Sequence, residues 1–175
     1  MSVRLAVETQ IQAPVGRVWD ELVDWAGQSR WIPFTTLRIS TPHDAGLGVR
    51  ATALSGFWLG RLPVGLLDRF VVTGWTPPAA TGDGAESTAG GDDPPRTPRR
   101  STGWAELEVL HLGPYFTGVG VFALEGTDAS TTVSCVELFD LPGGGLLDAP
   151  GRLLLPVLRT GFRLSLRRFA AVCEA

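Results

Sequence analysis

The stretch DAPGRLLLPVLRTGFRLSLRRFAAVCE, Asp148 to Glu174, decides the fold. Asp148 suits an N-cap, and Pro150 sits where a first-turn proline is tolerated. Apolar residues recur at Leu155, Leu158, Phe162, Leu166, Phe169 and Cys173, steps of three and four that share one helical face. Arg152, Arg159, Arg163 and Arg167 fall on another face. At ~1.5 Å per residue the rod is roughly 40 Å long. Pro156 removes one backbone hydrogen bond, so a kink or a break is expected there. A rod of that length with one apolar side requires a broad apolar surface to lie on.

The preceding chain reads as that surface. Val3 to Gln12 alternates, with Leu5, Val7, Thr9 and Ile11 on one side, the pattern of a half-buried strand. Ala13-Pro14 ends it. Val15 to Trp25 is a short amphipathic helix with Val15, Val18, Trp19, Leu22 and Val23 inward, and Gly27 to Pro33 a second, shorter helix or turn carrying Trp31. Strands follow at Thr35 to Ser40, Val49 to Phe57 and Leu67 to Trp75, with Trp58 to Gly65 as a Gly/Pro-marked connection. Thr76 to Thr102 is rich in Pro, Gly, Ser, Thr and Asp without apolar periodicity. It reads as an insertion, disordered over 77–102, within a single domain spanning 1–175.

Beyond it, Trp104 to Leu112 alternates Glu106 and Glu108 with Ala105, Leu107, Val109 and His111, which places His111 inward. Gly118 to Leu124 sets Gly118, Gly120, Phe122 and Leu124 on one face. Thr131 to Leu141 sets Val133, Cys135, Glu137 and Phe139 together, so a carboxylate lies among apolar neighbours. Pro142 to Gly145 is the turn into the last helix.

Composition narrows the function. The chain has 175 residues, 44% hydrophobic, with a net charge of −3. No apolar run reaches the ~18 residues a membrane span needs. The first residues lack a signal peptide's apolar core, so a cytoplasmic location is expected. The acidic balance, pI ≈ 5.3, argues against nucleic acid as a partner. All 15 basic residues are arginine, which excludes lysine Schiff-base chemistry. Cys135 and Cys173 form no C-x-x-C pair. His43 and His111 lack ligand spacing, so no metal or other cofactor is expected. The arginines of the last helix read as a solvated face, without stable membrane insertion. Oligomeric state is left open.

The segments IQAPVGRVWDELVDWAGQSRWIP (11–33), DRFVVTGWTPP (68–78), EVLHLGPYFTGVGVF (108–122) and VELFDLP (136–142) together resemble the SRPBCC superfamily, the START-like and birch-pollen-allergen-like proteins, in particular its polyketide cyclase/dehydrase-like actinobacterial members. The resemblance implies an α+β helix-grip fold: a curved antiparallel sheet of six to seven strands around the terminal helix, two short helices after the first strand, and a cavity between sheet and helix. It implies binding of a medium-sized hydrophobic molecule, such as a lipid, polyketide or isoprenoid. The alternative is a polyketide aromatase/cyclase or dehydratase using acid/base residues in the same cavity. Small inward residues (Ala51, Ala53, Gly118, Gly120) would leave room, and Trp31, Phe34, Phe70, Phe122, Phe139, Leu158 and Phe162 would line the walls.

Glu137, His111 and Tyr115 are the candidate catalytic groups. A buried Glu137 could orient a ligand hydroxyl or move a proton, or could instead pair with Arg159 or Arg163. His111 titrates in the useful range. Tyr115 would offer a hydroxyl at the rim. Asp68 and Arg69, at the start of a strand, read first as an ion pair at the sheet edge and second as ligand contacts.

Overall fold

The computed structural model describes residues 2–79, 103–115, 117–140 and 148–175. Seven strands form one open antiparallel sheet: β1 (Ser2–Ile11), β2 (Thr35–Ile39), β3 (Arg50–Leu59), β4 (Leu62–Thr76), β5 (Gly103–Pro114), β6 (Thr117–Gly126) and β7 (Thr131–Asp140). Their spatial order is β1-β7-β6-β5-β4-β3-β2. The first strand thus pairs with the last, and β1 and β2 are the free edges. Helix α1 (Val15–Val23) and a single 3₁₀ turn (Gly27–Arg30) link β1 to β2. The long helix α2 (Asp148–Cys173) ends the chain.

The period-two alternation read from the sequence is the alternation seen. On β5, Ala105, Leu107, Val109 and His111 are buried; on β7, Val133, Cys135, Glu137 and Phe139 are. These side chains share the sheet face that α2 covers. In the last three turns of α2, Leu166, Phe169 and Cys173 enter the main core with Val7, Ile11, Trp19 and Trp31. Further back, Leu158 and Phe162 pack on a smaller cluster of Val3, Leu5 and Phe139. The Trp31 and Phe169 rings lie 4.9 Å apart, and Trp19 meets Trp75 edge-on at 5.1 Å. Each such aromatic pair contributes about 1 kcal/mol beyond the area it buries.

Three expectations need correcting or refining. The helix after β1 stops at Val23, not Trp25. Asp24 accepts the Gly27 N–H through both its backbone oxygen and its carboxylate, each at 3.0 Å, which starts the next turn. Trp58 to Gly65 is not a connection but the end of a hairpin whose strands pair as far as Leu59 and Leu62. Gly56 and Gly65 face each other there. A Cβ on Gly56 would lie 2.1 Å from the Val64 carbonyl oxygen, and one on Gly65 would lie 2.3 Å from that of Ser55. Both have φ values that L-residues rarely adopt, +157° and +143°, so glycine here permits close strand approach instead of breaking the strand. Pro63 is tolerated because β5 pairs with β4 only from Asp68 onward, leaving β4 a free edge at Pro63. Finally, α2 runs through Pro156 without a break, and Thr160 Oγ1 donates to the Pro156 carbonyl at 2.8 Å. The insertion beyond residue 79 and the turn at 142–145 lie outside the described residues.

Candidate functional site

A polar chain crosses the otherwise apolar inner face. His111 Nδ1 lies 2.8 Å from Asp68 Oδ2 on β4, and His111 Nε2 lies 3.2 Å from Glu137 Oε2 on β7. All three side chains are largely withdrawn from solvent, at 14% exposure for Asp68, 10% for His111 and 7% for Glu137. Phe70 flanks the imidazole, its ring 6.3 Å away and tilted 65°.

Register produces this arrangement. His111 is opposite Gly118, and Glu137 is opposite Gly120, both on the intervening β6. A Cβ on Gly120 would lie 2.7 Å from Glu137 Oε1, so the bare backbone of β6 is the floor over which the carboxylate leans. Gly118 serves the backbone instead: its Cβ would fall 2.0 Å from the Leu138 carbonyl oxygen. A bulge between Asp68 and Phe70 sets the β4 carboxylate beside the ring.

Burial alone would lower the His111 pKa. Hydrogen bonds and charge attraction from Asp68 and Glu137 outweigh it and raise the value to about 9. At neutral pH the ring is therefore an imidazolium that donates from both nitrogens, one proton to each carboxylate. Glu137 is thus compensated by His111 and not by Arg159 or Arg163, which are exposed. His111 stands between its partners, not beside them around a common point, and no group of three His, Cys, Asp or Glu among the described residues is placed to hold a metal.

The remaining candidates spread over the molecule. Trp31, Phe70 and Phe139 are buried; Phe122, Leu158 and Phe162 are half-buried against the core clusters. Phe34 is 87% exposed in a left-handed backbone conformation, φ 57°, and Tyr115 is 49% exposed beyond the end of β5. Neither touches the polar chain through any described contact. Asp68 is the residue that sequence reasoning undervalues. Treating Leu67 as the start of a strand makes Asp68 look like an edge group, although alternation back from Phe70 puts it on the inner face.

The other ionic cluster sits elsewhere. Arg30 bridges buried Glu21 at 2.5 Å and exposed Asp24 at 2.7 Å, beside a surface depression of about 610 Å³ that Arg17, Asp20 and Val172 also line. Its charges are already paired and it opens widely to solvent, so it lacks the apolar walls of a small-molecule site.

The sheet, its order and the gripping helix define a helix-grip fold, and solved structures share it. The chain superimposes on an aromatase/cyclase, Zhui from Streptomyces sp. R1128, with a TM-score of 0.61 and 14% identity over 99% of this chain and 94% of that one. It matches the protein TTHA0849 from Thermus thermophilus with a TM-score of 0.62 and 11% identity, covering 98% and 97%. Norcoclaurine synthase from Thalictrum flavum, in complex with a transition-state analogue, gives 0.58 and 10%, covering 99% and 94%. No family model and no curated protein matches the sequence. At these identities the likeness establishes architecture, not activity. No described helix is long and apolar enough to cross a membrane.

Proposed function

We propose that the protein binds a medium-sized hydrophobic small molecule between the inner sheet face and α2. The observation that carries this reading is one polar chain, Asp68–His111–Glu137, set among apolar side chains over a glycine floor. Burying three ionisable groups is costly, and an apolar trio of the same volume would stabilise the fold as well or better. Such groups fit the few convergent polar contacts that orient a ligand among apolar walls. The structural neighbours, among them an aromatase/cyclase and a synthase, are compatible with this and do not specify a ligand. The test is solvent extraction and mass spectrometry of the purified protein, with titration of an apolar fluorescent dye. A co-purifying molecule, or saturable 1:1 dye binding that weakens in a Phe70→Asp variant, is the expected result. No extractable molecule and no saturable binding would end the proposal.

The same chain favours a second reading, acid/base catalysis on the bound molecule, as in an aromatase/cyclase or dehydratase. Glu137 would be the base and His111 would hold it in place. Incubation with aromatic polyketide precursors tests it: turnover that Glu137→Gln removes while binding persists supports catalysis.

A further inference from the structure

We infer that the bound molecule presents a hydrogen-bond donor, a hydroxyl or a protonated amine, to the free oxygen of Glu137, and that His111 is a positioning residue that never touches it. This deepens the binding proposal and rests on it. The geometry assigns every donor first. Both His111 nitrogens are spent, on Asp68 Oδ2 and Glu137 Oε2, so the imidazolium has no proton left for a ligand. What the chain leaves over is acceptor capacity. Glu137 is 5% exposed, yet its Oε1 receives no hydrogen bond from any described residue. Among the described residues the fully enclosed unpaired side-chain atoms are Trp31 Nε1 and Asp68 Oδ1, and Oε1 is not one of them. Oε1 is thus an acceptor with no donor among the described residues, and it leans over Gly120, which carries no side chain of its own to fill that space.

A ligand that displaces water from this oxygen without supplying a donor leaves it unsatisfied at a cost in free energy, which a ligand donor avoids. A ligand offering only an ether or carbonyl oxygen would set lone pair against lone pair, and one bearing a carboxylate would add like charge. The site thus selects phenols, alcohols or amines over their capped counterparts.

The test uses matched probes at pH 7: 2-naphthol, 2-methoxynaphthalene, 2-acetylnaphthalene and 2-naphthylmethylamine, with affinities from calorimetry. The wild-type protein should bind naphthol or the amine about tenfold or more above the methoxy and acetyl compounds; the stronger of the two identifies which donor the site takes. In Glu137→Gln the amide gives its oxygen to His111 and presents NH₂ in place of Oε1. The donor advantage should then fall to about twofold or less, and the acetyl compound should gain. The His111→Gln variant should retain some donor preference in weakened form. Equal wild-type affinity for all four probes would overturn the inference while leaving hydrophobic binding intact. So would a donor preference that Glu137→Gln leaves unchanged. Absence of binding by every probe would remove the parent proposal and this one with it.

Discussion

His111 and Glu137 meet across a strand that belongs to neither of them, Nε2 to Oε2 at 3.2 Å, because β6 offers glycine beneath the contact. Gly120→Ala tests that relationship. The new methyl would stand 2.7 Å from Oε1 and 3.0 Å from the carboxyl carbon, so the carboxylate must move. A loss of about 1–3 kcal/mol in denaturant unfolding is expected. The His111 titration, followed by NMR, should move down toward its ordinary value.

The charge on His111 makes stability depend on pH. The folded pKa, about 9, lies above the unfolded value of 6.5. The contribution is then fully present below about pH 6.5 and is lost as pH rises through about 9, the unfolded chain having released its proton first. The shift corresponds to about 3 kcal/mol. Unfolding free energies of wild type and His111→Gln, measured from pH 6 to 10, should converge toward the alkaline end. Parallel curves would contradict the imidazolium bridge.

Phe169 anchors the grip. It is fully buried, and its ring meets Trp31. Phe169→Ala should cost about 3–5 kcal/mol. Leu164→Ala, on the same helix but 44% exposed, should change stability by less than about 0.5 kcal/mol.

Both cysteines should be inert while the chain is folded. Burial, with Glu137 nearby, pushes the Cys135 thiol far up, and burial pushes that of Cys173 up to about 12. Reaction with a thiol reagent at pH 8 should follow the rate of unfolding, and denaturant should expose two equivalents.

The architecture is readable from sequence because its signals are periodic. The apolar steps of α2 and the alternation of β5 and β7 each repeat, and alternation puts His111 and Glu137 on the inner face of their strands. Their contact is not readable in the same way. It depends on which strand lies between β5 and β7, and on the absence of a side chain at Gly120. Asp68 escapes notice for another reason: a strand begun at Leu67 makes it look like an edge group, although alternation back from Phe70 turns it inward. Pro63 and Gly65 mislead because they usually punctuate chains, whereas here Gly65 lets its backbone close up on Gly56 and Pro63 borders an edge without a described neighbour.

The two ends of α2 answer to different demands. Leu166, Phe169 and Cys173 are locked into the main core, whereas Leu158 rests on a small satellite cluster bordering Glu137's strand and Phe162 packs partly on each. A library that randomises 158 and 162 while freezing 166, 169 and 173 would therefore explore selectivity at little risk to foldability. Tolerance to change should grade along a single helix, and the permissive end is where new recognition can evolve.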